Sequence, residues 1–469
     1  MGGGHPPDFG RARRLSPEGA GGYRLFFPPA RLPMSRRLFP ALLGACLLAP
    51  TLPAQSSAQF EAEIKRRTQE VLPEVVAWRR DLHEHPELGN RETRTAAIVA
   101  AQLRKLGLEV KTGVATTGVV GILRGGKPGP SIALRADMDA LPVTEEVDLP
   151  FKSKVRAEYN GQPVGVMHAC GHDNHTAILL GTATVLAGMK DKLPGTVTFL
   201  FQPAEEGLPP GERGGAAVMI EQGAIDNPKV EAVFGMHVRP GRIGEVGYHA
   251  GGAMASSDNL DIIIHGRQTH GAVPWAGVDP IVVSAQVMNA LQAIVSRQMN
   301  LALAPAVVTI GSIHGGVRRN IIPDSVVMSG TIRMFDADMQ KDIHARITRT
   351  VKQVAAAWGV TADVQIVTGT PVLVNNPELT ARMRPTLERY ARRAFADIPW
   401  TPSEDFALFG QKVPSLFVFM GVTPDSVRIE DAASNHSPRF FADESALPYG
   451  VQVMTGLAVD YLTGKKATP

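Results

Sequence analysis

The first half of the chain alternates between two patterns of apolar residues. Residues 61–82 are predicted to form a helix, and residues 93–106, in which apolar side chains are spaced three and four apart, are predicted to form another. Four short apolar runs are rich in β-branched and aromatic residues, as is typical of strands buried on both faces. This alternation predicts an α/β domain that begins near residue 59. The four predicted strands are residues 117–123, 131–136, 196–201 and 232–236.

A different order of elements begins near Asp258. It reads strand, helix, strand, strand, helix and strand, which is the order of a ferredoxin-like unit. These segments are residues 259–265, 279–297, 307–313, 325–333, 337–357 and 362–367. After residue 370 a predicted helix (377–395) and a predicted strand (415–419) restore the α/β pattern. We therefore predict an α/β catalytic domain formed by residues 59–250 and 369–469, with an inserted α+β domain at residues 251–368.

Composition and charge fit an enzyme better than a nucleic-acid-binding protein. The 469 residues leave room for two domains, and 44% hydrophobic and 20% charged residues are ordinary for a globular enzyme. The formal net charge is +3, but residues 1–37 hold seven Arg against Asp8 and Glu18. The remaining chain therefore carries a net charge of −2 and offers no basic patch for nucleic acid.

Residues 1–58 are predicted to be a leader with an export signal. Arg36 and Arg37 precede an apolar run over residues 38–50, which small residues follow. This arrangement is typical of a signal peptide that begins near Met34 and sends the protein to the periplasm or outside the cell. A membrane anchor is the alternative, and the twin arginines suggest export of an already folded protein. Lipid attachment at Cys46 is disfavoured because the apolar run continues past it.

The densest chemical signal surrounds the second of the chain's two cysteines. Residues 167–175 read Met-His-Ala-Cys-Gly-His-Asp-Asn-His. Once the signal peptide is removed, Cys170 has no cysteine partner for an intramolecular disulfide, so it is buried, reactive or bound to something. Cys170 and His172 are suited to one ion of Zn, Mn, Co or Ni. The alternative is a polar loop before a helix that Asp173 caps.

Two acidic pairs lie at the ends of predicted strands. Glu205 and Glu206 repel one another, and burying them together is costly unless a cation is present. One can then bind a metal while the other acts as a base toward metal-bound water. Asp137 and Asp139 are two residues apart, so they share a face and can orient ligand histidines. Two single histidines also lie at element ends, where a structural role is the more common one: His237 and His436.

Together these residues resemble one family of amidohydrolases. It includes bacterial hippurate hydrolase, N-acetyl-diaminopimelate deacetylase and plant indole-acetyl-amino-acid hydrolases, within the dinuclear aminoacylase and carboxypeptidase superfamily. The likeness extends from about residue 79 to residue 449. The motifs that carry it are 80–83, 86–88, 135–142, 168–175, 202–207, 235–237, 271–280, 320–333, 403–406 and 436–438.

The resemblance implies a role for each matching residue. It makes Glu205 the general base and Asp139 a carboxylate that orients the metal ligands without binding the metal itself. Asp137 stands where the carboxypeptidases have a ligand histidine, and Cys170 compensates for the loss of that ligand. The inserted domain becomes a lid and dimerisation domain whose His270 reaches the site of a neighbouring subunit in a homodimer or higher oligomer. Asn320 and Arg333 match positions near the substrate carboxylate, and six histidines are left structural (His83, His85, His168, His175, His265 and His314). The implied ligands of two divalent ions are Cys170, His172, Glu206, His237 and His436.

The implied reaction is hydrolysis of the amide bond of small N-acyl-amino acids by water that the metal and Glu205 activate. A dinuclear carboxypeptidase or dipeptidase on the same fold is the first alternative. A catalytically silent binding protein is disfavoured because the base and all five candidate ligands are present. A transport-associated protein anchored by the N-terminus is the third alternative, after the peptidase and the binding protein.

Overall fold

The computed structural model describes residues 57–209 and 211–464. The predicted signal peptide, with Met34 and Cys46, lies outside the described residues. Within the described part of the chain, no helix is long and apolar enough to cross a membrane. The helices there are α1 (Ser57–Glu84), α2 (Thr93–Lys105), α3 (His172–Ala187), α4 (Gly215–Glu221), α5 (Pro280–Gln298), α6 (Ala337–Ala357), α7 (Pro377–Tyr390), α8 (Ala407–Gly410) and α9 (Leu447–Leu462).

The strands form one large mixed sheet and several smaller sheets. The large sheet has eight strands in the order β1-β2-β6-β3-β7-β18-β8-β17, and its centre from β6 to β18 is parallel. The strands are β1 (Glu109–Val114), β2 (Gly118–Arg124), β3 (Lys127–Asp137), β4 (Arg156–Tyr159), β5 (Gln162–Gly165), β6 (Pro194–Gln202), β7 (Ala232–Arg242), β8 (Glu245–Tyr248), β9 (Gly251–Met254), β10 (Asp258–His265), β11 (Thr269–His270), β12 (Ala306–His314), β13 (Ile321–Ile322), β14 (Ser325–Met334), β15 (Thr361–Thr368), β16 (Leu373–Asn375), β17 (Arg393–Ala396) and β18 (Ser415–Thr423).

Both faces of the large sheet are covered at its centre, which explains why its central strands are largely apolar. Successive side chains of a strand point to opposite faces. In β6, Phe199 and Phe201 join a core with α1, α2, α3, α7 and α9, whereas Leu200 joins a second core with α4 and α8. The prediction of strands buried on both faces is confirmed.

The parallel strands bring the predicted site residues to one edge of the sheet. β3 ends at Asp137 and β6 ends at Gln202, and these two residues are paired across the strands. His237 of β7 lies beside Phe419 of β18 at the same level. Because parallel strands place their carboxyl ends together, the loops that follow them meet in one crevice.

The inserted unit has the predicted ferredoxin-like topology. Its sheet order is β12-β14-β10-β15, with every neighbour antiparallel. Helices α5 and α6 pack on this sheet in a separate core that includes Ile262, Val287 and Ile347. The α/β fold with an inserted α+β domain is thus confirmed, while the domain boundaries proposed from the sequence stay predictions.

One predicted element is partly wrong. The helix predicted over residues 377–395 ends at Tyr390, and residues Arg393–Ala396 form strand β17 instead. β17 pairs in parallel with β8 at the edge of the large sheet. Hydrogen bonds to a strand about 150 residues earlier in the chain decide this conformation, and the local pattern of apolar residues does not record them.

Candidate metal centre and active site

A cavity of about 550 Å³ lies at the carboxyl edge of the large sheet. Four of the five predicted ligands and Glu205 line it. Donor atoms of Cys170, His172 and His237 lie within 4.8 Å of one another, and so do those of Cys170, Glu206 and His436. The structure therefore brings all five predicted ligands together, and the sulfur of Cys170 is common to both groups.

His172 and His237 both direct Nε2 toward the candidate metal position. His172 Nδ1 donates to the Asp139 carbonyl oxygen at 2.8 Å, and His237 Nδ1 donates to the Val238 carbonyl oxygen at 2.7 Å. A carbonyl only accepts, so each Nδ1 carries a proton, and the neutral form of each ring has its lone pair on Nε2. His172 Nε2 is buried without a hydrogen-bond partner. This is the arrangement of histidines that bind metal through Nε2.

His175 occupies the same helix but has no lone pair to offer. Its Nε2 accepts from the Val238 amide at 2.8 Å, so its Nδ1 carries the proton and donates to Asp137 Oδ1 at 2.6 Å. Asp137 also accepts from Arg135 at 2.6 Å. Asp137 and His175 are thus hydrogen-bonded to one another next to the candidate ligands. This arrangement agrees with the structural role predicted for His175.

Glu206 and His436 complete the second donor group. Glu206 Oε1 is buried with no hydrogen-bond partner and lies 3.1 Å from His436 Nε2 and 3.8 Å from His172 Nε2. The Glu206 amide donates to Asp139 Oδ2 at 3.0 Å, so Asp139 contacts both this residue and His172. The Nε2 of His436 and that of His237 each lie 3.3 Å from the Cys170 sulfur.

The surroundings of Cys170 favour a cation. Burial, together with the neighbouring carboxylate of Glu206, holds the pKa of the Cys170 thiol well above its usual range. A divalent ion reverses this effect because it stabilises the thiolate directly. The lone pairs without partners, the thiol and the nearby carboxylates therefore fit a site for borderline divalent metals.

Glu205 points to a different group of side chains from Glu206. It lies with Glu404 and Asp405, and their acidic oxygens are within 4.8 Å of one another. Burial, followed by repulsion from Glu404, raises the pKa of Glu205 well above its usual range. A Glu205 oxygen also lies within 4.8 Å of donor atoms of His172 and Glu206, at the border of the metal group.

A buried arginine organises these carboxylates, and the sequence analysis assigned it no role. Arg135 is fully buried and donates to Asp137, to Gln202 at 2.9 Å and to Asp405 at 3.0 Å, and it forms an ion pair with Glu404 at 2.9 Å. Arg135, Glu404 and Asp405 all stood in the motifs that carried the resemblance. That one cation joins them became visible only in the fold.

The alternative interpretation of residues 167–175, with Asp173 as a helix cap, is wrong. The N-cap of α3 is Gly171, at φ 96°, and no side chain caps it. Asp173 instead contacts α1, where it accepts from His83 Nδ1 at 2.8 Å and pairs with Arg79 at 3.0 Å. Its carboxylate is occupied by long-range partners that the local pattern did not show.

The three residues predicted on the inserted domain do not reach this cavity within one chain. His270 pairs with Ile321 between β11 and β13, and the Gly271 amide donates to the Asn320 carbonyl at 2.9 Å. His270 and Asn320 therefore lie side by side, and both are exposed. Arg333 lies near the end of β14, opposite Val307 of β12. None of these three residues lines the cavity.

Comparison with known proteins decides the family. The family model for peptidase family M20/M25/M40 matches residues 133–460. The chain belongs to this family. Thermostable carboxypeptidase 1 of Saccharolobus solfataricus is 40% identical over 85% of this chain and 98% of its own length. IAA-amino acid hydrolase ILR1-like 2 of Arabidopsis thaliana is 36% identical over 88% of this chain and 91% of its own length.

A solved M20 structure supports the same assignment. The Bacillus subtilis YXEP protein, whose structure is that of a dinuclear metal binding peptidase from the M20 family, has 34% sequence identity and a TM-score of 0.71. The match covers 84% of this chain and 99% of that one. The family resemblance inferred from the motifs is therefore confirmed, and this M20 chain is a relative of enzymes that hydrolyse amide bonds.

Proposed function

We propose that this M20 protein is a metal-dependent amidohydrolase that cleaves the amide bond of N-acyl-amino acids. One observation carries the proposal. Five donor side chains meet at one cavity, and two of their atoms, His172 Nε2 and Glu206 Oε1, are buried there without a hydrogen-bond partner. Glu205 lies beside them, with a carboxylate oxygen within 4.8 Å of donor atoms of His172 and Glu206.

The five donor side chains are suited to two divalent ions, which we propose to be Mn, Zn, Co or Ni. Cys170, His172 and His237 would hold one ion, and Cys170, Glu206 and His436 the other. When bound, such ions lower the pKa of a water molecule to about 7 and polarise an amide carbonyl. Glu205 would accept a proton from the attacking water at its carboxylate as the water oxygen bonds to the amide carbonyl carbon. It would return that proton to the leaving amine as the C–N bond breaks. The products are a carboxylic acid and a free amino acid.

The apolar part of the cavity lining favours a substrate with an apolar group. It consists of Trp400, Met254, Pro240 and Pro402. The Trp400 ring packs edge-on against the His237 ring, with centroids 5.6 Å apart. An acyl or side-chain group bound next to the candidate metal would contact this indole. The volume of the cavity suits a small molecule of this kind.

A carboxypeptidase or dipeptidase is the second candidate. The observation in its favour is the 40% identity to a thermostable carboxypeptidase over almost the whole of that protein. Both reactions cleave an amide next to a free amino-acid carboxylate, so the same donor group would serve either. The acyl-side group, which is a small acid in one case and an amino acid in the other, separates them.

We extend the proposal to a homodimer, because each active site then receives residues from a second chain. β12 is an edge strand that leaves Val307 and Ile313 exposed, and α5 exposes Ile281 and Val282 next to it. Such an edge with apolar neighbours is suited to pairing with another copy. His270 would reach the partner's cavity, and Asn320 and Arg333 would lie near the substrate carboxylate.

A substrate panel with metal analysis tests the function. Chelated protein, shown by elemental analysis to be metal-free, is assayed before and after addition of Mn, Zn, Co or Ni. N-acetyl-, N-benzoyl- and indole-acetyl-amino acids and unblocked dipeptides are compared by kcat/KM. We expect no activity without metal and a preference for the acyl-amino acids. Preference for dipeptides would favour the second candidate, and full activity of the metal-free protein would refute both.

A further inference from the structure

A buried acidic residue outside the predicted site contacts the segment that carries Glu205 and Glu206. Glu92 is completely buried, just before α2. Its Oε1 accepts from the Ala204 amide at 2.9 Å, and its Oε2 accepts from the Thr117 hydroxyl. Both donors are neutral, so no positive charge offsets the burial of this carboxyl group through these two contacts.

Glu92 is not needed to cap the helix next to it. The N-terminus of α2 receives its cap from Glu87, which accepts from the amides of Arg94 at 3.0 Å and Thr95 at 2.8 Å. The Glu92 side chain makes no capping hydrogen bond with α2. The two acidic residues of this short segment therefore have different partners. Glu87 caps the N-terminus of α2, whereas Glu92 points toward the end of β6.

The residue that Glu92 contacts has a backbone conformation that needs support. Ala204 has φ 54°, in the left-handed region that non-glycine residues rarely adopt. It is also closely enclosed, since an added Cβ at either Gly89 or Gly214 would lie 3.2 Å from the Ala204 side chain. The chain turns sharply here, directly after β6 and Pro203, and the two acidic site residues follow immediately.

Hydrogen bonds to buried carboxylates lie on both sides of Glu205. The amide before it, of Ala204, donates to Glu92, and the amide after it, of Glu206, donates to Asp139 at 3.0 Å. Between these two bonds Glu205 lies with Glu404 and Asp405, while Glu206 lies with Cys170 and His436. A rotation of the backbone at Ala204 would move both carboxylates away from these groups.

We propose that Glu92 is a positioning residue, whose hydrogen bond to the Ala204 amide holds the left-handed turn that directs Glu205 toward the substrate and Glu206 toward the candidate metal. For its catalytic part this inference rests on the function proposed above. Glu92 touches neither the substrate nor the donor atoms, so it acts only through Ala204. What the role requires is a hydrogen-bond acceptor at Oε1.

The choice of variants follows from this requirement. In Glu92→Gln the amide oxygen still accepts from Ala204, and the amide nitrogen donates to the Thr117 hydroxyl oxygen. Glu92→Met keeps a similar length but leaves the Ala204 amide buried without a partner. Glu87→Met is the matched control, because it removes an acid of the same segment that also accepts backbone amides. Thr117→Val removes the hydrogen bond between the Thr117 hydroxyl and Glu92 without altering Glu92 itself.

The readouts are kcat, KM and the dissociation constant of Mn measured by titration of the chelated protein. We expect Glu92→Met to lower kcat at least tenfold with KM within threefold, since small misplacements of catalytic groups have large effects on rate. Its Mn dissociation constant should rise at least tenfold. Glu92→Gln should stay within threefold of the wild type in all three quantities, and so should Glu87→Met, which should lose only thermal stability.

Three results would overturn the inference. They are a folded Glu92→Met with wild-type kcat and Mn affinity, a Glu92→Gln as impaired as Glu92→Met, or a Glu87→Met with the same losses. If Glu92→Met does not fold, the Thr117→Val variant provides the test. A Mn dissociation constant raised at least threefold in Thr117→Val would support the inference, and an unchanged one would overturn it. A wild type inactive on every substrate would refute the proposed function alone, because the Mn titration still tests Glu92.

Discussion

Adjacent residues in this site have different surroundings, and Glu205 and Glu206 are the clearest example. Glu206 Oε1 lies 3.1 Å from His436 Nε2, whereas Glu205 borders Glu404 and Asp405. The peptide backbone places successive side chains on different sides, so one carboxylate can bind metal while its neighbour stays free to take a proton.

We predict that Glu205→Gln keeps its metal and loses turnover by about 10²–10⁴-fold, the usual size of general-base catalysis. Glu206→Gln should instead lose metal, because a carboxylate ligand is replaced by a neutral amide. Elemental analysis and kcat of both purified variants check this. If Glu205→Gln loses metal and Glu206→Gln keeps it, the two roles are reversed.

At the scale of elements, the start of α3 decides where the ligands lie. Gly171 separates Cys170 from His172 and has φ 96°. A Cβ added there would lie 2.4 Å from Cγ2 of Val238 in β7. The short distance between helix and strand that sets Cys170, His172 and His237 side by side therefore depends on a residue without a side chain.

We predict that Gly171→Ala loses metal affinity by at least tenfold and is destabilised by more than about 2 kcal/mol, since strain and overpacking both contribute. Gly107→Ala is the matched control, because Gly107 has φ 78° but an added Cβ would meet no atom within 4 Å. It should cost only about 1 kcal/mol of backbone strain. Urea unfolding and metal titration check both variants. Equal losses in the two would show that packing against Val238 is unimportant.

At the scale of the whole molecule, the separation of His270 from the cavity is the main feature to explain. His270 and Asn320 are exposed and adjacent, and neither lines the cavity of its own chain. A two-fold dimer that shares its sites would supply them from the partner, as an isologous arrangement requires.

We predict that Glu205→Gln and His270→Ala are each nearly inactive as homodimers and recover activity when refolded together. In a mixed dimer one site receives both substitutions and the other receives neither. With about half of the dimers mixed by chance, about a quarter of the wild-type activity should return. An activity assay on the separated heterodimer checks this, and no recovery there would show that His270 does not act across subunits.

The sequence by itself determined the order and type of the main elements. Continuous apolar runs and helical spacing are local properties, so the buried strands and the ferredoxin-like unit could be predicted from the chain. Cys170, His172 and the acidic pair after β6 were also recognisable, because residues 168–175 and 205–206 concentrate ligand side chains. His237 and His436 became candidate donors only through the family resemblance. The family resemblance followed from the same motifs. Export and the roles of the site residues stay predictions.

Only the tertiary structure decided which of these side chains can act. His172 and His175 lie one turn apart on α3, yet His172 keeps a free Nε2 and His175 does not, because Asp139 and Val238 contact them from other elements. The bonds from Arg135 to Gln202 and Asp405, and the bond from the Ala204 amide to Glu92, join residues that are 67 to 270 positions apart in the chain. Lone pairs, burial and backbone strain depend on such contacts, and no local pattern of the sequence records them.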